Sequence, residues 1–199
     1  LGAGRGSWFY EDDCDYRRKL RNIKEYVGEF IGADIDEEIL KNPTTTKNLL
    51  IVDGKIPIKD NSIDIIISDY VLEHIKDPKI FFTEINRILK KNGFFCARTP
   101  HKYDYISVLA RLIKNKNHHK LIKFAQPFRK PEDVFDTYYK LNTLREIRKY
   151  FKGYINFSYL QPSDPNYYFG KKWIYKTLLF IHRFLPLVMY SNIFVFLKK

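Results

Sequence analysis

The chain has 199 residues, of which 45% are apolar and 29% are charged, and it carries a formal net charge of +12. This length and composition predict a single globular domain with room for an appendage, without repeats or low-complexity tracts. A basic surface can bind nucleic acid, an anionic membrane face or a phosphorylated substrate, or it can reflect a lysine-rich composition alone. Because the basic residues are scattered, with no run of five like charges, we expect no specific nucleic-acid partner.

Two cysteines, Cys14 and Cys96, lie far apart in the sequence. They form neither a disulfide framework nor a CxxC metal motif, and the five histidines lack metal-ligand spacing. We therefore predict no metal site. The cysteine usage favours a reducing, cytoplasmic location.

Helical and strand patterns alternate over the first hundred residues. A helix is predicted over 7–27, where Tyr16, Leu20, Ile23 and Val27 recur at helical spacing. Strands are predicted at 29–36, 48–54, within 61–75 and at 94–100, with a helical turn at 37–43.

The clearest helix is predicted over 77–93. Asp77 is expected to cap it, Pro78 to occupy its first turn and Gly93 to end it. The isoleucine-rich run at 63–67 predicts a strand buried on both faces, as in a parallel sheet.

The second half of the chain is less regular. Helices are predicted at 106–113 and 141–151, and strands at 154–162 and 191–199. The segment 173–190 is apolar, but His182, Arg183 and Pro186 interrupt it, so it falls short of a spanning helix. We expect it to pack on the sheet or to rest on an anionic membrane surface, as in a peripheral membrane protein.

The alternation of helices and strands predicts a doubly wound α/β fold with a mostly parallel, Rossmann-like sheet. We expect one domain over 1–199, in which 1–100 bind a cofactor and 101–199 face the substrate. Ligands of such sheets bind beyond the carboxyl ends of the strands.

A glycine turn opens the chain, with glycines at positions 2, 4 and 6. Its G-x-G-x-G pattern fits a nicotinamide dinucleotide poorly, since those folds use G-x-G-x-x-G. At the end of the next strand, Asp34 can accept hydrogen bonds from both hydroxyls of a ribose, or it can cap the following helix, a role for which Asp36 is the better candidate. Asp53, one strand further on, can accept from an adenine amine or serve as a turn residue before Gly54.

These stretches resemble class I S-adenosylmethionine-dependent methyltransferases of the type 11-like branch. LGAGRG is similar to the first family motif, GADID to the ribose-binding motif, and DGKIPIKDNSIDIIISDYVLEHIKDPKIFFTEINRILKKNG to the fourth strand and its helix. SNIFVFLKK is similar to the final antiparallel strand. The resemblance implies S-adenosyl-L-methionine as cofactor and methyl transfer to a small-molecule, sugar or lipid-linked glycan acceptor. It implies cofactor contacts from Gly2, Ala3, Gly4, Gly6, Asp34, Ile35, Asp53, Gly54 and Ser68.

Two departures from the family pattern are visible. The first family strand, with its acidic residue, belongs upstream of Leu1, so we expect it to be missing from this sequence. Gly6 and Asp34 are also 28 positions apart, against about 20 in dinucleotide folds. We expect the additional residues to form a lip over the cofactor.

An oxygen acceptor has a proton to lose, and histidine is the usual base for this step. His74 and His101 are the candidate catalytic residues because each follows a predicted strand on the ligand side. The alternatives are a backbone-bonded structural role for His74 and a solvent-exposed loop position for His101. The candidate substrate contacts are His118, Arg129, Tyr138 and Tyr139.

Two other functions compete with methyl transfer. A non-catalytic nucleotide- or nucleic-acid-binding domain would use the basic surface and would bind without turnover. A nicotinamide-dependent oxidoreductase is disfavoured by the glycine spacing.

Overall fold

A computed structural model describes residues 1–104, 107–108, 135–165 and 170–199. The helix predicted over 106–113 lies mostly outside these residues. The described helices are α1 (Trp8–Glu11), α2 (Asp15–Arg21), α3 (Pro78–Ile88), α4 (Leu144–Tyr150) and α5 (Lys172–His182). The described strands are β1 (Ile31–Asp34), β2 (Lys47–Leu50), β3 (Ile63–Asp69), β4 (Leu89–Pro100), β5 (Ile155–Asn156), β6 (Tyr159–Gln161) and β7 (Asn192–Lys198). Short 3₁₀ turns cover Lys24–Tyr26, Glu37–Lys41, Leu72–His74 and Leu187–Met189.

The strands form two groups of mixed direction. β1 and β2 pair in parallel, and β3 pairs in parallel with β4. β7 pairs antiparallel with β4 on one side and with the short strands β5 and β6 on the other. The predicted α/β fold, with parallel strands first and an antiparallel strand at the C-terminal end, is confirmed.

The first two residues lie between the two groups of strands. The backbone nitrogen of Leu1 donates a hydrogen bond to the carbonyl of Ile67 in β3, at 2.8 Å. The Gly2 amide donates to the carbonyl of Ala33 in β1, also at 2.8 Å. The glycine turn is thereby fixed against both groups.

The single helix predicted over 7–27 is wrong, because the chain breaks into α1, α2 and a 3₁₀ turn. Asp12 accounts for the break between α1 and α2. Its carboxylate accepts from the Cys14 amide at 3.0 Å and twice from the Arg17 guanidinium at 2.6 Å. These bonds close a turn just before α2 begins. The apolar residues of 7–27 keep helical spacing in the sequence although the helix itself is interrupted there.

α3 begins as predicted, with the Asp77 carboxylate accepting hydrogen bonds from two amides of the first turn. Its predicted end at Gly93 is wrong. The helix ends at Ile88 because Leu89 pairs with Ile63 of β3 and begins β4. Sheet pairing therefore competes successfully with helix propensity at this point.

The prediction that β3 is buried on both faces is also wrong. Ile66 and Ser68 are buried, whereas Ile65 and Ile67 are 58% and 49% exposed. Successive side chains of a strand point to opposite faces, and only the face of Ile66 and Ser68 is covered by described residues.

The main core lies between β4 and the helices α3 and α4. Phe95 of β4 is fully buried and stacks on Phe151, with ring centroids 5.3 Å apart, while Phe81 of α3 meets it edge-on. Ile85 and Ile147 are fully buried beside it. Burying one such side chain contributes about 1.5–3 kcal/mol, so this cluster fixes both helices on the sheet.

The apolar segment 173–190 forms α5, a bend and a 3₁₀ turn. No residue of α5 is fully buried. Among the described residues, no helix combines the length and the apolar content that crossing a membrane requires.

Arg87 of α3 holds the loop that precedes β3. Its guanidinium donates to the carbonyls of Ile56 and Ile58, at 2.9 and 2.7 Å, and to the carboxylates of Glu84 and Asp60. Glu84 in turn accepts from the Ile56 amide at 2.7 Å. One cation therefore neutralises a buried carboxylate and satisfies two loop carbonyls.

We predict that Arg87→Met lowers the free energy of unfolding by about 2–3 kcal/mol, because it leaves a buried carboxylate and two carbonyls without their partner. Urea denaturation would measure the loss. The matched control is Lys41→Met, which removes an exposed pair with Glu38 and should cost about 0.5 kcal/mol or less. Equal losses in the two variants would contradict the assignment.

Candidate functional site

A cavity of about 750 Å³ lies where β1, β2 and β3 end. It is lined from the strand ends by Leu1, Gly2, Asp34, Ile35, Ile51, Asp53, Gly54, Asp69, Tyr70 and Val71, and from the helical side by His74, Ile75, Lys76, Asp77, Ile80, Phe81, Glu84 and Ile85. Ile56, Phe135, Asp136 and Tyr138 complete the lining. The volume is within the range of small-molecule sites, about 300–1,000 Å³.

The glycine turn and Asp34 meet at one end of this cavity. The Gly4 amide donates to Asp34 Oδ2 at 2.7 Å, and the Asp36 amide donates to Asp34 Oδ1 at 3.1 Å. Each carboxylate oxygen can accept more than one hydrogen bond. Asp34 is therefore oriented by backbone donors and retains capacity for hydroxyl groups of a ligand, while Asp36 caps the following 3₁₀ turn as predicted.

Asn42 fastens the glycine turn from the other side and was not anticipated from the sequence. Its amide group donates to the carbonyls of Ala3 and Gly4, at 3.1 and 2.8 Å. A Cβ on Gly6 would lie 2.4 Å from Asn42 Oδ1, and Gly6 has a φ of +65°. Gly6 thus serves close packing within the turn, and it is not among the residues that line the cavity.

Asp53 and Gly54 line the cavity and also form a tight turn. Both have positive φ, and the flanking residues Val52 and Lys55 exchange backbone hydrogen bonds. This is the geometry of a two-residue Asp-Gly hairpin turn. The turn role left open by the sequence is confirmed, and it places the Asp53 carboxyl group on the cavity wall.

The end of β3 carries an ion pair that the sequence did not reveal. Arg98 binds Asp69 through two hydrogen bonds of 2.7 Å, and its guanidinium lies 4.7 Å from the centre of the Tyr70 ring. The pair fixes Asp69 and Tyr70 as one wall of the cavity. Ser68, a predicted cofactor contact, is buried one residue earlier and does not line the cavity.

His74 lines the cavity and its orientation is fixed. Its Nδ1 lies 2.7 Å from the carbonyl oxygen of Asp136. Because a carbonyl can only accept, Nδ1 carries the proton in the neutral ring and Nε2 holds the free lone pair. The backbone bond that the sequence treated as an alternative to catalysis is therefore present, and it leaves Nε2 available as a base.

Glu73 lies beside His74 and is buried. Its Oε1 is 4.0 Å from His74 Nε2, and its Oε2 accepts from the Thr99 hydroxyl at 3.0 Å. Thr99 in turn accepts from Asn142 at 2.7 Å. Burial raises the pKa of the Glu73 carboxyl, and the interactions with His74 and Thr99 oppose that rise.

The segment 135–139 is held over this pair. The amides of Tyr138 and Tyr139 both donate to the Glu73 carbonyl, at 2.7 and 3.1 Å. Tyr138 lines the cavity, as does Phe135, whose ring meets His74 edge-on, whereas Tyr139 is buried away from it. His118 and Arg129, the other predicted substrate contacts, lie outside the described residues.

His101 occupies a different environment from the one predicted. It is buried, its Nδ1 lies 3.2 Å from the Tyr190 carbonyl, and it is not among the residues that line the cavity. Burial lowers its pKa. This position favours a structural role over the catalytic role proposed from the sequence, because the ring is buried and lies outside the cavity lining.

Within the described ranges, no group of three histidine, cysteine or acidic side chains is arranged to hold a metal ion. The two cysteines are both unpaired, with Cys14 exposed and Cys96 partly buried.

Parallel strands whose carboxyl ends meet a glycine turn, an oriented carboxylate and a cavity are typical of Rossmann-like nucleotide-binding domains. Residues 14–97 match the family described as methyltransferase domain, Methyltransf_11. This stretch of the chain is therefore similar to methyltransferase domains.

Two similar proteins each match less than half of the chain. The chain is 33% identical to the mitochondrial arginine hydroxylase NDUFAF5 of Homo sapiens over 99 residues. This aligned stretch covers 48% of this chain and 26% of that protein. Over 87 residues the chain is 31% identical to a probable S-adenosylmethionine-dependent methyltransferase of Mycolicibacterium smegmatis, covering 42% and 34% respectively. The chain thus spans only 26% and 34% of these two curated relatives.

A likeness of fold extends over nearly the whole chain. A crystal structure of a SAM-dependent methyltransferase from Aquifex aeolicus superposes with a TM-score of 0.53 over 99% of this chain and 78% of that one, at 14% identity. At this identity the likeness concerns the fold.

We predict that Glu73→Gln stabilises the protein increasingly as the pH rises above the ordinary glutamate pKa of about 4.3. The folded-state pKa of Glu73 is raised, so its contribution to stability is complete below the unfolded-state pKa and is lost as the pH rises through the folded-state pKa. The glutamine keeps an acceptor for Thr99 and carries no charge. Urea denaturation over a range of pH would measure the difference.

Glu37→Gln is the matched control for this experiment, because Glu37 is an exposed carboxylate. It should show no comparable dependence on pH. A Glu73→Gln variant that loses stability on going from acid to neutral pH as steeply as the unmodified protein would contradict the prediction.

Proposed function

We propose that this protein transfers a methyl group from S-adenosylmethionine to a small-molecule, sugar or lipid-linked glycan acceptor. The observation that carries the proposal is the meeting of the glycine turn and Asp34 at the edge of a cavity beside a histidine with a free Nε2. The family match over residues 14–97 supports the same chemistry.

The residues at the strand ends fit the proposed cofactor. Asp34 has a carboxylate that is oriented by two amides and faces the cavity, as a ribose diol requires. Gly2 and Ile35 line the same end, and Asp53 offers an acceptor on the neighbouring turn. When bound there, S-adenosylmethionine supplies a methyl group activated on a sulfonium sulfur.

The protein's own part in the reaction is alignment and proton removal. We assign His74 Nε2 as the acceptor of the proton that a substrate hydroxyl loses. The imidazolium formed in this way keeps its Nδ1 bond to Asp136 and lies 4.0 Å from the Glu73 carboxyl group. A carboxylate at that distance stabilises the positive ring.

The acceptor class rests on the aromatic side chains that line the cavity. Phe135, Tyr70 and Tyr138 line the cavity, and ring faces of this kind suit sugars and apolar groups.

Unpaired cysteines are compatible with the reducing cytoplasm, where we place the protein.

We predict that Asp34→Ala weakens the binding of S-adenosylhomocysteine roughly 10- to 100-fold, because a hydrogen bond to a charged group contributes about 1.5–3 kcal/mol. Isothermal titration calorimetry would measure the affinity. Asp34→Asn, which keeps one acceptor oxygen for the Gly4 amide, separates loss of the ligand bonds from loosening of the turn.

The control for charge is Glu37→Ala, an exposed carboxylate outside the cavity lining, and its affinity should be unchanged. An Asp34→Ala variant that binds as tightly as the unmodified protein would remove the basis of the proposal.

We predict that His74→Asn lowers the rate of methyl transfer to an oxygen acceptor by about 10²–10⁴-fold and leaves S-adenosylhomocysteine affinity intact. The asparagine amide can still donate to the Asp136 carbonyl, so the variant removes the base and keeps the local structure. The assay follows S-adenosylhomocysteine release over a panel of glycan and small-molecule acceptors.

His182→Asn is the matched control, since His182 Nδ1 also lies against a carbonyl, that of Ser163 at 3.0 Å, away from the cavity. His101→Asn tests the other candidate base. Mass spectrometry of the product would distinguish an added methyl group from an added oxygen atom, because one curated relative is named a hydroxylase. A rate that falls with His101→Asn and not with His74→Asn would overturn the assignment.

A further inference from the structure

A stripe of three aromatic side chains runs along the outer face of α5 and the turn that follows it. Trp173, Phe180 and Phe184 are 66%, 60% and 72% exposed. They are spaced seven and four residues apart, which brings them to within about 40° of one another around the helix. The rings of Phe180 and Phe184 meet edge-on with centroids 5.2 Å apart, and Trp173 lies on the same face two turns earlier.

The opposite face of α5 is the one that packs on the protein. Ile174, Leu178 and Leu179 are half-buried, and His182 is fixed by the carbonyl of Ser163. The helix therefore has apolar residues on both faces, and the outer ones are not needed for its own packing. Large exposed apolar patches of this kind mark interaction sites.

A row of cations lies beside the stripe. Lys172, Lys176 and Arg183 are all exposed and share one side of the helix, about 80° around from the aromatic rings. No aspartate or glutamate occurs between residues 165 and 199. The apolar patch continues past the helix through Leu187 and Val188, which are also exposed.

We propose that this stripe and its row of cations dock the protein on an anionic lipid bilayer. A helix lying in the interface buries aromatic and aliphatic side chains at the headgroup boundary while lysine and arginine bind anionic headgroups. Tryptophan is enriched at that boundary. α5 carries the three elements in the required arrangement and is too short to cross the membrane.

Charge favours a bilayer over a second copy of the chain. Two copies that met through this face would bring two rows of cations together without a carboxylate between residues 165 and 199 to neutralise them. An anionic leaflet supplies the opposite charge and an apolar interior at once. The proposal does not depend on methyl transfer.

The test is flotation of the full chain with vesicles of phosphatidylcholine alone and of phosphatidylcholine with phosphatidylserine. We expect binding to the anionic vesicles that weakens with salt. In a Trp8→Phe background, the emission of Trp173 should shift to the blue on binding. The triple variant Trp173→Ser, Phe180→Ser, Phe184→Ser should lose binding, whereas Tyr10→Ser, Tyr16→Ser, Tyr26→Ser, three exposed aromatics elsewhere, should keep it.

A second pair of triple variants tests the role of the cations. One combines Lys172→Ala, Lys176→Ala and Arg183→Ala. The control, which has the same net charge, combines Lys19→Ala, Lys47→Ala and Lys152→Ala. The first triple variant should bind roughly 100-fold more weakly, because each basic residue near an anionic surface contributes on the order of 1 kcal/mol. The control should weaken binding much less. Circular dichroism and S-adenosylhomocysteine affinity, measured on every variant, confirm folding and keep this test separate from the proposed function.

Three results would overturn the proposal. The first is that the unmodified protein fails to float with anionic vesicles. The second is that it floats equally well after the three rings are replaced. The third is a dimer in analytical ultracentrifugation that dissociates when the three rings are replaced, without vesicle binding, which would assign the stripe to a second copy of the chain.

Discussion

The hydrogen bond from the Gly4 amide to the Asp34 carboxylate joins the glycine turn to the end of β1, and the cavity is arranged around it. The bond forms because the turn directs the Gly4 amide towards the end of β1, which carries an acidic residue. Asn42 satisfies the carbonyls on the other side of the turn. With both sides bonded, a glycine-rich backbone that could adopt many conformations keeps one shape, and a ligand meets an acceptor that is already oriented.

Glu73 differs from Asp34 because its burial disfavours the charged carboxylate. Its carboxyl group is buried at a cost, as its raised pKa shows, although Thr99 and the adjacent histidine offset part of that cost. In the proposed reaction, this buried acid lies 4.0 Å from the His74 ring that becomes positive. Sites that are costly for folding and coupled to a reactive group are typical of catalytic machinery.

The sequence predicted the features that depend on local chemistry. The Asp36 and Asp77 caps and the turn at Asp53 follow from residue type and short-range pattern, and all are present. The antiparallel β7, expected from the resemblance of SNIFVFLKK to the final family strand, is present as well. The sequence prediction was wrong where pairing with a distant strand determines the local structure. Leu89, for example, continues the helical pattern of α3 but pairs with β3. Asn42 and Arg98 escaped notice for the same reason, because their partners in the site lie roughly 30 or more positions away.

The two proposals together bear on the choice of acceptor. A protein held on a leaflet meets lipid-linked molecules in two dimensions, where tethering raises their effective concentration without any new contact in the active site. A small water-soluble acceptor gains nothing from such docking. If the stripe on α5 binds anionic bilayers, the lipid-linked glycan becomes the favoured acceptor among those the aromatic wall of the cavity suits, since only that class uses both features of the chain.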